Sequence, residues 1–166
     1  AVQQFASQLS GKSFDAILIN AGISGPAHQK VSQSDDQALA QLFLTNAIAP
    51  VRSAEILLPL LKQEGVLALN SSQLGSLNEN PEAQMPIYSA SKAALNMLSR
   101  TLIPAVEAQS GTLLTLHPGW VKTDMGGESA PLTAEESAAG IVQQLSQGRG
   151  RGGHHYVDSA GQQLQW

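Results

Sequence analysis

The chain has 166 residues, 42% of them hydrophobic, and a formal net charge of −4. That is enough apolar material for one α/β core, while the acidic balance and an aromatic content of 4% argue against a nucleic-acid partner. Cysteine is absent, which excludes disulfide and thiolate chemistry, and no apolar run approaches the roughly 20 residues of a membrane span. No positive-then-apolar leader opens the chain, so the cytoplasm is the expected compartment.

Val2, Phe5 and Leu9 share a helical face, so residues 1–10 read as the tail of a helix that Gly11 ends. Asp15–Asn20 is a short apolar run suited to a strand buried on both faces. Ser34-Asp-Asp-Gln37 has a capping-box pattern and predicts a helix to about Lys62, with Pro50 as a kink. Gly65 would end it, and Val66–Leu69 is the second predicted strand.

Residues 71–86 read as a polar loop punctuated by Gly75, Pro81 and Pro86. A helix is predicted from Tyr88 to about 108, with Pro104 interrupting it. Gly111–Leu116 is the third strand. Gly126, Gly127 and Pro131 mark a loop, and Thr133-Ala-Glu-Glu136 is a second capping box that opens a helix to about Leu145. A glycine/arginine turn at 148–153 leads to a last strand, His154–Val157, and a turn at Gly161. Such alternation predicts an α/β fold with a parallel sheet and helices on both faces. Sheets of this kind take ligands beyond the carboxyl ends of their strands.

The chemistry concentrates in Tyr88-Ser-Ala-Ser-Lys92. A tyrosine and a lysine four residues apart meet on one helical face. An ammonium beside a phenol favours phenolate, which would lower a pKa otherwise near 10. The result is a proton donor or acceptor suited to neutral pH. Alone, the pair is an ordinary contact on a surface helix; its neighbours give it weight. Ser72-Gln-Leu-Gly75 supplies a hydroxyl directly after a strand, with Ser71 as the competing candidate. Asn46 sits mid-helix in an apolar setting, where asparagine is a poor choice. Asn20-Ala21-Gly22 and Pro118-Gly119 each follow a strand, as generic turns also do. His154 and His155 are adjacent, so on a strand they point to opposite faces and suit no common metal. Ser72, His117 and Asp124 lack the nucleophile elbow that a hydrolase would need.

In order and spacing these elements resemble the short-chain dehydrogenase/reductase family. The run Tyr88-Ser-Ala-Ser-Lys-Ala-Ala-Leu95 and the segment Pro118-Gly-Trp-Val-Lys-Thr-Asp-Met125 carry the likeness furthest. Residues 118–137 and the ending Gly161–Trp166 are similar to one branch, that of the sniffer-type carbonyl reductases and the bacterial C-factor proteins. The resemblance implies a Rossmann-like three-layer αβα fold and an NADP- or NAD-dependent oxidoreductase. Its reaction would move a hydride between a nicotinamide and a small carbonyl or alcohol substrate. It implies that Tyr88 is the acid/base, that Lys92 lowers its pKa and binds the nicotinamide ribose, and that Ser72 polarises the carbonyl. By the same resemblance Asn46 positions a water linked to Lys92. Asn20, Ala21 and Gly22 would run beside the cofactor; Pro118, Gly119, Val121 and Thr123 would hold its carboxamide. A homodimer or homotetramer, through the helices at 34–62 and 88–108, goes with the family, and no nucleic acid or membrane partner is expected.

One family feature has no counterpart here. The T-G-x-x-x-G-x-G turn that binds a dinucleotide pyrophosphate occurs nowhere in the chain. Residues 15–20 resemble the family's fourth strand, so residues 1–166 read as one domain, the C-terminal portion of the fold, lacking about 60–80 residues at a rough 30 per βαβ unit. The expectations are an exposed strand edge at 15–20 and poor cofactor binding by residues 1–166 alone. The rival reading is a truncated, catalytically inactive family member that acts through its surfaces.

Overall fold

A computed structural model describes all 166 residues. Four strands, β1 (Phe14–Ile19), β2 (Leu61–Asn70), β3 (Thr112–His117) and β4 (His154–Asp158), form one parallel sheet in the order β1-β2-β3-β4. The helices are α1 (Val2–Gln8), α2 (Asp36–Phe43), α3 (Ala49–Leu57), α4 (Pro86–Ser99), α5 (Ile103–Glu107) and α6 (Ala134–Gly148). No helix is long and apolar enough to cross a membrane.

The strand sequences alternate between two buried faces. Leu67, Leu69 and Leu113 point into a core filled by Ala47, Val51, Ala54, Leu58 and Leu95 from the helices between β1 and β3. Val66, Ala68, Leu114 and Leu116 point the other way, onto Ile141 of α6. The sheet is thus the middle layer of three. Losing Leu67 or Leu69, both fully buried, would cost about 2–5 kcal/mol. All six β1 residues are only partly buried, as befits the strand at the sheet's edge.

Several boundaries differ from the sequence expectation, each for a local reason. Asp35, not Ser34, caps α2: its side chain accepts from Ala38 N at 2.9 Å, while Ser34 Oγ turns back to Lys30 O. The long helix does not run to Lys62. A π-helical stretch, Leu44–Ile48, interrupts it, Pro50 opens α3, and a 3-10 turn ends it at Leu60. β2 therefore begins at Leu61, although its regular ladder starts at Val66. Between them Glu64 takes φ 58° and its N–H bonds Gln109 O at 2.9 Å, which makes a bulge. Pro104 falls in the first turn of α5, where a missing N–H costs nothing, so the break lies before it, at Arg100–Leu102. The predicted box at Thr133 is present in full: Thr133 Oγ1 accepts from Glu136 N at 3.1 Å and Glu136 Oε2 from Thr133 N at 2.8 Å.

Candidate active site

The carboxyl ends of β1, β2 and β3 open into one cleft of 940 Å3. Asn20, Ala21, Gly22, Ser72, Tyr88, Lys92, Pro118, Gly119, Val121 and Thr123 all line it. Segments separated by about a hundred residues are brought together by a parallel sheet, in which every strand points its carboxyl end the same way.

Tyr88 and Lys92 lie on α4 and are 9% and 3% exposed. Lys92 Nζ is 5.9 Å from the Tyr88 ring centroid and donates to Asn70 O at 2.9 Å. Burial pulls the Lys92 amine down to about 8. The expected lowering of Tyr88 is not found. Desolvation of the phenolate pushes the Tyr88 phenol above its ordinary value, and only the Ser72 hydroxyl opposes that rise. Both residues line the cleft, and the Ser72 hydroxyl is the one group that holds the Tyr88 phenol back. Ser72 Oγ accepts from Leu74 N at 3.2 Å, so its proton is left to point at Tyr88 or at a substrate oxygen.

The two serines differ in direction. Ser71 Oγ turns inward and donates to Asn96 Oδ1 at 2.6 Å, whereas Ser72 faces the cleft. Gly75 explains its own place in the motif: a Cβ there would stand 2.8 Å from Lys92 C and Cβ. Only glycine lets the Ser72 loop rest against the backbone of α4.

Asn46 is fully buried and sits behind the cleft wall, not in it. It lies in the π-helical stretch, a form often found at functional sites. Its side chain grips one residue of the Asn20–Gly25 loop from both sides: Nδ2 donates to Ile23 O and Oδ1 accepts from Ile23 N, each at 2.8 Å. Nδ2 also reaches Ser91 Oγ at 3.0 Å. Asn46 Oδ1 and Lys92 Nζ both approach Gly22, 3.4 and 3.3 Å from where a Cβ would stand.

The third segment is held by Ser137 Oγ, which donates to Pro118 O at 2.6 Å. Val121 makes no backbone hydrogen bond through its amide or carbonyl. The Thr123 hydroxyl closes its own turn, accepting from Gly126 N at 3.1 Å and reaching Val121 O at 3.4 Å. Two buried polar atoms on cleft-lining residues, Asn70 Oδ1 and His117 Nδ1, have no partner. His154 Nε2 pairs with Thr115 Oγ1 at 3.0 Å and His155 Nε2 with Gly152 O at 2.8 Å. The chain holds no cluster of three metal-ligating side chains.

Sequence reasoning missed Gln29, whose Oε1 accepts from the N–H groups of Ile87 and Tyr88 at 3.1 and 3.0 Å. It serves the start of α4 from 58 and 59 residues away, and no local pattern marks it. It also missed Asn70, the lysine's anchor, since a backbone carbonyl leaves no signature in a sequence.

The residues fit the nicotinamide end of a dinucleotide. Gly22 keeps the space beside Lys92 clear, Val121 offers an amide with no partner, and Asn70 and His117, each with an unpaired buried polar atom, line the same cleft.

Known proteins share this fold. A carbonyl reductase from Pseudomonas aeruginosa in complex with NADP superimposes with a TM-score of 0.90 and 46% identity, over 99% of this chain and 72% of its own. The carbonyl reductase Sniffer of D. melanogaster gives 0.87 and 31%, over 100% of this chain and 73% of its own. C-signal of Myxococcus xanthus is 32% identical over 167 residues, which cover 99% of this chain and 100% of that protein. Residues 1–133 match the model of the short chain dehydrogenases. With the tyrosine, lysine and serine converging at the strand ends, this places the chain in the short-chain dehydrogenase/reductase family of oxidoreductases.

Proposed function

We propose that the protein is an NADP- or NAD-dependent carbonyl reductase, interconverting a small carbonyl compound and its alcohol. The convergence of Tyr88, Lys92 and Ser72 on one cleft carries the reading, and NADP-bound carbonyl reductases of similar structure support the choice of cofactor. When bound, the reduced nicotinamide supplies a hydride to the carbonyl carbon. Tyr88 gives its hydroxyl proton to the carbonyl oxygen, and Ser72 donates a hydrogen bond to that same oxygen. A phenol raised by burial is protonated at neutral pH, as reduction requires. The Lys92 ammonium then steadies the phenolate left behind, and its Nζ reaches the ribose hydroxyls. Asn46 holds the Ile23 loop, and with it Gly22, beside them. Val121 binds the carboxamide through its backbone, and Asn20, Ala21, Pro118, Gly119 and Thr123 complete that wall.

Self-association belongs to the same reading. Leu44, Ile48 and Met97 remain exposed on the helices that the family pairs, and light scattering would give the mass. A non-enzymatic, surface-acting role draws no support from the comparisons.

The test is consumption of NADPH, and separately of NADH, by the purified protein with a small aromatic aldehyde. Tyr88→Phe is expected to lower turnover about 10²–10⁴-fold without changing the fold. Unchanged turnover would remove Tyr88 from its role.

A further inference from the structure

The Ser72 carbonyl accepts two hydrogen bonds. One comes from Gly75 N at 2.9 Å, within the turn. The other comes from the hydroxyl of Tyr156, 84 residues away on β4, at 2.5 Å. Tyr156 is fully buried, and its ring is covered by Trp166 with centroids 4.9 Å apart. Gln163 Nε2 and Leu164 N both donate to Tyr156 O, so the end of the chain folds back over this residue.

Asn96 holds the same loop at Ser71 and Gly75. It lies on α4 one turn beyond Lys92, so Tyr88, Lys92 and Asn96 form one stripe. Its Oδ1 accepts from Ser71 Oγ at 2.6 Å and its Nδ2 donates to Gly75 O at 3.2 Å. Ser72 is thus flanked by residues anchored to the tyrosine helix, while its own carbonyl is anchored to β4. Ser72 is extended, with φ −158° and ψ 144°. Fixing its carbonyl fixes ψ, and with it the direction in which the side chain leaves the backbone.

We propose that Tyr156 is a positioning residue: acting with Asn96, its hydroxyl sets where the Ser72 hydroxyl stands against Tyr88. It is fully buried and does not line the cleft, so its hydrogen-bonding action on the site runs through Ser72. The proposal rests on the Tyr88–Ser72 pairing described above.

The chain has two tyrosines, so the pairing can be read without cofactor or turnover. Tyrosine labelled at Cζ gives two distinct NMR signals, and Tyr156→Phe leaves Tyr88 as the single tyrosine. Lys92 faces the Tyr88 ring, and since neither substitution alters it, its effect cancels from the comparison. Ser72→Ala removes the group that holds the Tyr88 midpoint down, and is expected to raise it by roughly half to one pH unit. Tyr156→Phe keeps Ser72 but frees its carbonyl, and is expected to raise the Tyr88 midpoint by a similar amount. If Ser72→Ala shifts Tyr88 and a folded Tyr156→Phe does not, the positioning role is wrong and the pairing survives. If Ser72→Ala shifts nothing, the pairing fails and the proposal goes with it. Should Tyr156→Phe fold poorly, the unsubstituted protein supplies a second measurement. Its Tyr156 hydroxyl proton is expected to exchange slowly with water, and rapid exchange would overturn the proposal.

Discussion

Gly75→Ala tests the contact on which the geometry of the site depends. The new Cβ would stand 2.8 Å from Lys92 C and Cβ and 3.1 Å from Ala93 N. Ordinary carbon contacts lie near 3.5–4.0 Å, so loop and helix must separate by about 0.7–1 Å. The atoms in the way belong mostly to backbone in the middle of α4, which packs on the core through Leu95. The loop is the partner that yields. Its bond from Asn96 Nδ2 to Gly75 O is already 3.2 Å and would not survive such a retreat. Overpacking costs about 1–3 kcal/mol and one buried hydrogen bond about 0.5–1.5 kcal/mol, roughly 1.5–4.5 kcal/mol together. Urea denaturation at an unchanged m-value would read it. Turnover should fall further than stability does, since a displacement of about 1 Å at a reacting group can cost on the order of 10²-fold. A folded Gly75→Ala within about 0.5 kcal/mol of the parent, with full turnover, would show that the Ser72 loop does not rest on α4 as described.

Lys92 predicts a pH dependence. Its folded pKa of about 8 lies below the ordinary 10.5, so between these values the unfolded chain binds more protons and stability rises with pH. Up to about 3 kcal/mol is available over the full window, and Lys92→Met should flatten the rise between pH 8 and about 10. Above that, Tyr88 and Tyr156 act with the opposite sign, because their folded values are raised, Tyr156 to about 12. Thr133→Ala removes the side-chain half of the α6 capping box, the Oγ1 that accepts from Glu136 N, and leaves the bond from the backbone N–H of residue 133 to Glu136; a loss of about 1 kcal/mol in denaturation is expected, and no loss would mean that this half contributes nothing. Asn46→Ala strips Ile23 of two hydrogen bonds and Ser91 of one. It should loosen the Asn20–Gly25 loop, seen as faster amide exchange at Ile23, and unchanged exchange there would count against the clamp.

Much of the architecture was legible along the chain because its signals are local. The stripe of Tyr88 and Lys92 needs only helical periodicity, the box at Thr133 needs four consecutive residues, and the strand ends at 20, 72 and 118 follow from apolar runs and turn residues. Other features depended on where the pieces met. Ser71 and Ser72 are alternatives in the sequence; strand direction and register turned one toward Asn96 and the other toward the cleft. The Tyr88 phenol was expected low because its charged neighbour is visible in the sequence, and it is raised because burial, which only the Ser72 hydroxyl opposes, is not visible there. Gln29 and Tyr156 act across 59 and 84 residues. The chain by itself determined which groups take part and in what order; packing decided their directions and their desolvation, since both arise only when distant segments exclude water together.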